Sequence, residues 1–129
     1  MNNHAHLIVW LTVQSTLSRY MKQVNLSYCR YFQRLYGYSG HLWQGRFKSC
    51  FIDKEEYLLQ CGKYIELNPV RAGLVRSPEE YKFSSYRYYA LGEIDFLLTT
   101  DPAYSGLSHS DELKKKRYRE FVVDRIAKS

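Results

Sequence analysis

The first 52 residues of this 129-residue chain contain no aspartate or glutamate, and the first acid is Asp53. The same stretch carries six bases, Arg19, Lys22, Arg30, Arg34, Arg46 and Lys48, whereas residues 53–129 carry 13 acids and 13 bases. The whole net charge of +6 therefore sits in the first part of the chain. Such asymmetry suits a polyanionic partner, although a solvated basic surface has the same composition. Cysteine is scarce: Cys29, Cys50 and Cys61 are odd in number and irregularly spaced. That pattern argues against a disulfide framework and against a zinc site, and fits small buried residues in a reducing compartment. No apolar run approaches the roughly 18 residues that a membrane span needs. The opening Met1-Asn2-Asn3-His4 lacks the basic region of a signal peptide. These absences predict a cytoplasmic chain with no membrane partner. Tyrosine, by contrast, is abundant at 13 residues, and aromatics among bases suit stacking on unpaired nucleobases.

Residues 4–12 are rich in β-formers, Leu7, Ile8, Val9 and Trp10, and read as a buried strand. Ser15 or Thr16 can cap a helix over about 16–36, with apolar residues at Leu17, Met21, Val24, Tyr28, Tyr31 or Phe32, and Leu35, ended by Gly37 and Gly40. Residues 41–52 alternate: Trp43, Phe47 and Phe51 fall on one face, and Gln44, Arg46 and Lys48 on the other, so a second strand is expected, antiparallel to the first. Asp53 and Glu56 form a capping box for a helix carrying Tyr57, Leu58, Cys61, Tyr64, Ile65 and Asn68, which Pro69 closes or turns. Gly73 and Pro78 mark a loop, residues 86–91 a short helix, and residues 92–110 an irregular stretch. Ser110 or Asp111 opens a last helix with Leu113, Phe121, Val122 and Ile126 on one side. Its bases, Lys114–Arg117 and Arg119, read as a solvated face.

Two elements can carry chemistry. His4 and His6 stand two apart on the expected strand, so their imidazoles share a face and can hold one divalent metal. Alone, His-x-His also arises without any metal. Tyr64 and Asn68 stand four apart on a helix and also share a face. Asn68 offers an amide oxygen to a hard cation and Tyr64 a phenol that can act as a covalent nucleophile. Alone, a helical tyrosine is ordinarily packing, and an asparagine before proline ordinarily ends a helix. Taken together, His4, His6 and Asn68 can surround a Mg²⁺ or Mn²⁺ ion beside Tyr64, where the cation polarises a phosphate and favours the phenolate.

The segment Met1-Asn2-Asn3-His4-Ala5-His6-Leu7-Ile8-Val9 resembles the HUH motif of insertion-sequence single-tyrosine transposases, with Asn2 where proline is usual. Leu42-Trp43-Gln44-Gly45-Arg46-Phe47 resembles their second landmark, and Tyr64-Ile65-Glu66-Leu67-Asn68-Pro69-Val70-Arg71-Ala72-Gly73-Leu74-Val75 their third. The last block, with Ser84-Ser85-Tyr86 after it, is similar to the REP-associated branch. The resemblance implies an α+β fold, a ferredoxin-like antiparallel sheet with helices on one face. Family members carry a strand and helix before the HUH motif, so the chain is expected to be N-terminally truncated, with a transposase core over residues 1–91 and an extension with a terminal helix over 92–129.

The resemblance further implies a metal-dependent enzyme that nicks and rejoins single-stranded DNA at hairpin-flanked ends through a 5′-phosphotyrosine on Tyr64, with His4, His6 and Asn68 holding Mg²⁺ or Mn²⁺. Trp43, Arg46, Lys48, Lys63 and Arg71 are the residues expected to contact DNA. A nucleoid-associated, cytoplasmic location and a homodimer fit that role. The alternative is a non-catalytic, basic nucleic-acid-binding remnant of such a transposase. A third reading, a helical interaction protein, leaves the Tyr-x-x-x-Asn-Pro block without a purpose.

Overall fold

The computed structural model describes residues 1, 3–12, 14 and 16–124. Among the positions singled out above, Asn2, Ser15 and Ile126 lie outside them. The described chain is helical: α1 (Leu17–Tyr36), α2 (Glu55–Arg71), a 3₁₀ turn (Pro78–Glu80), α3 (Tyr86–Leu91), α4 (Pro102–Ser105) and α5 (Asp111–Val123). It divides into two compact units, one formed by Met1–Ile8 with the chain from Ile52 onward, the other by Val9–Phe51.

No strand occurs among the described residues, which overturns the expected ferredoxin-like antiparallel sheet. Residues 4–12 and 41–52 have no regular structure beyond bends near 43–45. A strand exists through the ladder it makes with a neighbour, and β-propensity reports how well side chains suit a pleated, half-buried surface. Here the surface is missing: Leu7, Ile8, Trp10 and Leu11 are exposed, and Phe51 is 89% exposed. Two strands alone rarely hold together in water.

In the unit Val9–Phe51, α1 begins where the periodicity predicts. The Thr16 hydroxyl accepts a bond from the Arg19 backbone N–H at 3.3 Å, satisfying one of the free donors of the first turn. Gly37 ends the helix at φ 59°, a left-handed conformation that glycine adopts without Cβ strain. The chain then folds back along α1 through aromatic contacts. Phe32 meets Tyr36 and Tyr38 at 4.6 and 5.7 Å, and Trp43 meets Tyr28 at 5.7 Å while its indole N–H donates to the Asn25 carbonyl. No residue of α1 is buried.

In the other unit, Leu67 of α2, Tyr86 and Ala90 of α3, Tyr104 of α4, and Tyr118 and Val122 of α5 form the core. Tyr89, Tyr104 and Tyr118 pack with ring separations of 4.8–5.4 Å. Helix α4 falls in the stretch expected to be irregular, and Asp101 caps it by accepting from the Ala103 N–H at 2.7 Å. The bases of α5 are engaged locally. Lys114 and Lys115 pair with Asp111 and Glu112, and Arg119 donates to the Ala90 carbonyl of α3.

Helix α2 departs from its expected ends. Lys54, not Asp53, is the N-cap, and no side chain bonds to the free backbone donors there; Glu55 and Glu56 in the first turn favour the positive end of the helix instead. Pro69 lies inside the helix and does not close it. Its ring removes the donor that would reach the carbonyl of Ile65, and the turn is secured on its other side. Leu74 N–H donates to Pro69 O at 2.9 Å and Gly73 N–H to Val70 O at 3.0 Å, with Gly73 left-handed at φ 69°. This paired closure carries the helix through Arg71 and fixes its last turn.

Candidate active site

His4 and His6 reach one another without a strand to align them. Their rings meet edge-on with centroids 5.0 Å apart. The segment is tied down at its start, where the Met1 ammonium donates to the Tyr81 hydroxyl at 2.6 Å. The Nδ1–H of His4 donates to the Asn3 side-chain carbonyl at 2.8 Å, which in a neutral ring leaves the Nε2 lone pair for a metal. Desolvation, followed by the positive charges of His4 and the N-terminus, holds the exposed His6 imidazole below its usual value. This lowering favours the neutral form, which is the one that can ligate a cation.

Helix α2 brings Tyr64 to these histidines. The rings of His6 and Tyr64 meet edge-on at 6.1 Å, and Tyr64 is 53% exposed, so its phenol is open to a ligand. The guanidinium of Arg71 also lies over the Tyr64 ring, with Cζ 5.4 Å from the centroid. Asn68 lies one turn on from Tyr64, half-buried, and no hydrogen bond joins it to either histidine. Among the described residues, no group of three or more His, Cys, Asp or Glu could hold a metal.

The residues expected to meet DNA fall in both units, Trp43, Arg46 and Lys48 in one and Lys63 and Arg71 in the other. Arg46 and Lys48 are exposed, but the strand that was to align them on one face is absent. Trp43 is half-exposed, with its N–H committed to Asn25. Lys63 is 6% exposed, its ammonium donating to the Phe121 carbonyl and lying 4.6 Å from the Phe121 ring centroid. A cation enclosed in this way faces α5 rather than a phosphate in solvent. Arg71 stands beside Tyr64.

Sequence reasoning gave no role to the buried group behind Tyr64. Glu66 is almost wholly buried and accepts from the Ser85 hydroxyl at 2.7 Å and the Tyr118 hydroxyl at 2.8 Å. Burial pushes its carboxyl up to about 7, against the opposing pull of the two donors. Glu66 and Ser85 both lie in the blocks that carry the family resemblance, a signal that could have marked them.

No helix among the described residues is long and apolar enough to cross a membrane. No curated protein and no solved structure matches the chain. The family described as IS200-like transposase matches residues 1–68, which carry His4, His6, Tyr64 and Asn68, and the chain belongs to that family.

Proposed function

We propose that this chain cuts and rejoins single-stranded DNA at hairpin-bearing ends, with Tyr64 as the nucleophile and His4, His6 and Asn68 as ligands of a Mg²⁺ or Mn²⁺ ion. The observation that carries the reading is the 6.1 Å approach of His6 to Tyr64, which sets a phenol beside a pair of imidazoles from the far end of the sequence. When bound, the cation supplies Lewis-acid stabilisation of the charge that develops on the phosphoryl oxygens. The Tyr64 oxygen bonds to phosphorus, its proton passing to solvent. The bond to the 3′ oxygen breaks, and that oxygen takes up a proton and leaves as a hydroxyl. The 5′-phosphotyrosine so formed keeps the bond energy of the phosphodiester, so the same or another 3′-hydroxyl can reverse the step without ATP. His4 and His6 hold the cation, and His6 in its neutral form keeps a lone pair available. The exposed bases Arg46 and Lys48, in a segment with no acid, hold the strand by its phosphates, and Trp43 offers a ring face for stacking. The Tyr64–Val75 block and Ser84-Ser85-Tyr86 support the REP-associated branch.

A non-catalytic nucleic-acid-binding role is the second reading. It is favoured by the lack of regular structure over residues 4–12, where both histidines are exposed. Cleavage separates the two. Hairpin-bearing single-stranded DNA labelled at its 5′ end should, with Mn²⁺, give a shortened fragment that a polymerase can extend. Tyr64→Phe should leave the DNA whole. Undiminished binding with no cleavage by the unaltered chain would favour the second reading.

A further inference from the structure

Resting on the reading of Tyr64 as nucleophile, we propose that Arg71 is a phosphate-binding catalytic residue that uses the Tyr64 ring as its platform. Arg71 and Tyr64 stand seven apart on α2, about two turns, and so share a face. The guanidinium lies over the ring at 5.4 Å, and Arg71 is exposed. Among the described residues it makes no ion pair, whereas Arg87, Lys114 and Lys115 of the same unit each pair with a carboxylate. The contact is with the ring alone, and the exposed guanidinium keeps N–H groups to offer a ligand. Those groups match two oxygens of one phosphate, a geometry that lysine cannot reproduce.

The placement is held from behind. The paired closure by Gly73 and Leu74 fixes the turn from which Arg71 projects. A phosphate received by the fork lies beside the ring edge that bears the Tyr64 oxygen. There the guanidinium offsets charge spreading over the non-bridging oxygens as the phenol attacks. The ring contact in turn holds the phenol in one orientation.

Two measurements test this, and one needs no activity. In a ¹H–¹⁵N spectrum of the full chain, the Arg71 Nε–H signal should be displaced by the ring current, return on Tyr64→Leu, and shift on adding hairpin-bearing single-stranded DNA. An Arg71 signal that ignores both the Tyr64 change and the DNA overturns the proposal. In single-turnover cleavage at saturating DNA and Mn²⁺, Arg71→Lys should slow the cut by about 100-fold. The dissociation constant for DNA should change far less, a split that a merely structural role would not give. Equal rates for Arg71→Lys and the unaltered chain also overturn the proposal. If Tyr64→Phe still cuts, the nucleophile reading fails instead; if it does not cut while Arg71→Lys cuts normally, only the role of Arg71 falls.

Discussion

The Tyr118 hydroxyl donates to the Glu66 carboxylate at 2.8 Å, joining α5 to α2 inside the core. Ser85 donates to the other carboxylate oxygen, so three separate segments meet on one buried side chain. This triad backs the helix that presents Tyr64. Tyr118→Phe keeps the ring packing but leaves one Glu66 oxygen buried without its donor. A loss of about 1–3 kcal/mol in unfolding free energy should follow, measured by urea titration. An unchanged midpoint would show that the bond contributes nothing to stability.

Glu66 also sets a pH dependence. Burial raises its folded value to about 7, from an ordinary 4.5. The folded state therefore holds the proton more tightly than the unfolded chain. The stabilisation is full below about 4.5 and is lost as pH rises through about 7. The urea midpoint should fall between pH 5 and pH 8, and Glu66→Gln, which stays neutral throughout, should flatten that decline. Parallel profiles for the two proteins would assign the pH dependence elsewhere.

Metal binding should follow the histidines. Calorimetry with Mn²⁺ should detect a site that disappears in the His4→Ala, His6→Ala double variant and weakens in Asn68→Ala. Binding should also fall as pH drops, because protonated imidazole has no lone pair for the ion. Mn²⁺ binding that is the same in the double variant would rule out the histidine pair.

DNA affinity should fall steeply with salt as condensed counterions are released. Replacing Arg46 and Lys48 together by alanine should reduce the slope of log K against log salt by about 1–2 units. A slope equal to that of the unaltered chain would exclude direct phosphate contacts by these two bases.

The helices were largely legible, because their signals are local. The Thr16 cap, the apolar repeat from Leu17 to Leu35, and Ser110 before α5 all act within a turn or two. The strands were misread because Leu7, Ile8, Trp43 and Phe47 report a preference for a pleated surface, not the presence of a neighbour to complete it. Pro69 was expected to close the helix or begin a new turn because the Gly73–Leu74 closure that carries α2 past it lies downstream. Lys63 was assigned to a DNA surface because the carbonyl that receives it, on Phe121, lies 58 positions away. The approach of His6 to Tyr64 joins two of the blocks of family resemblance, and the Tyr64–Arg71 contact follows from helical spacing. The Glu66–Tyr118 bond did not, since nothing local distinguishes Tyr118 among 13 tyrosines.

The central claim is that Tyr64 becomes covalently joined to the 5′ side of a DNA break. The exposed Tyr64, with both His6 and Arg71 against its ring, is the geometry behind that claim. The most direct measurement is to incubate hairpin-bearing single-stranded DNA with the protein and Mn²⁺, denature the mixture, and identify the linked residue by mass spectrometry. A denaturation-resistant adduct on Tyr64 is expected, abolished by Tyr64→Phe, which keeps the ring but has no oxygen to attack with, and retained by Tyr57→Phe. An adduct that persists in Tyr64→Phe, or no adduct from the unaltered chain with DNA that it binds, would contradict the account.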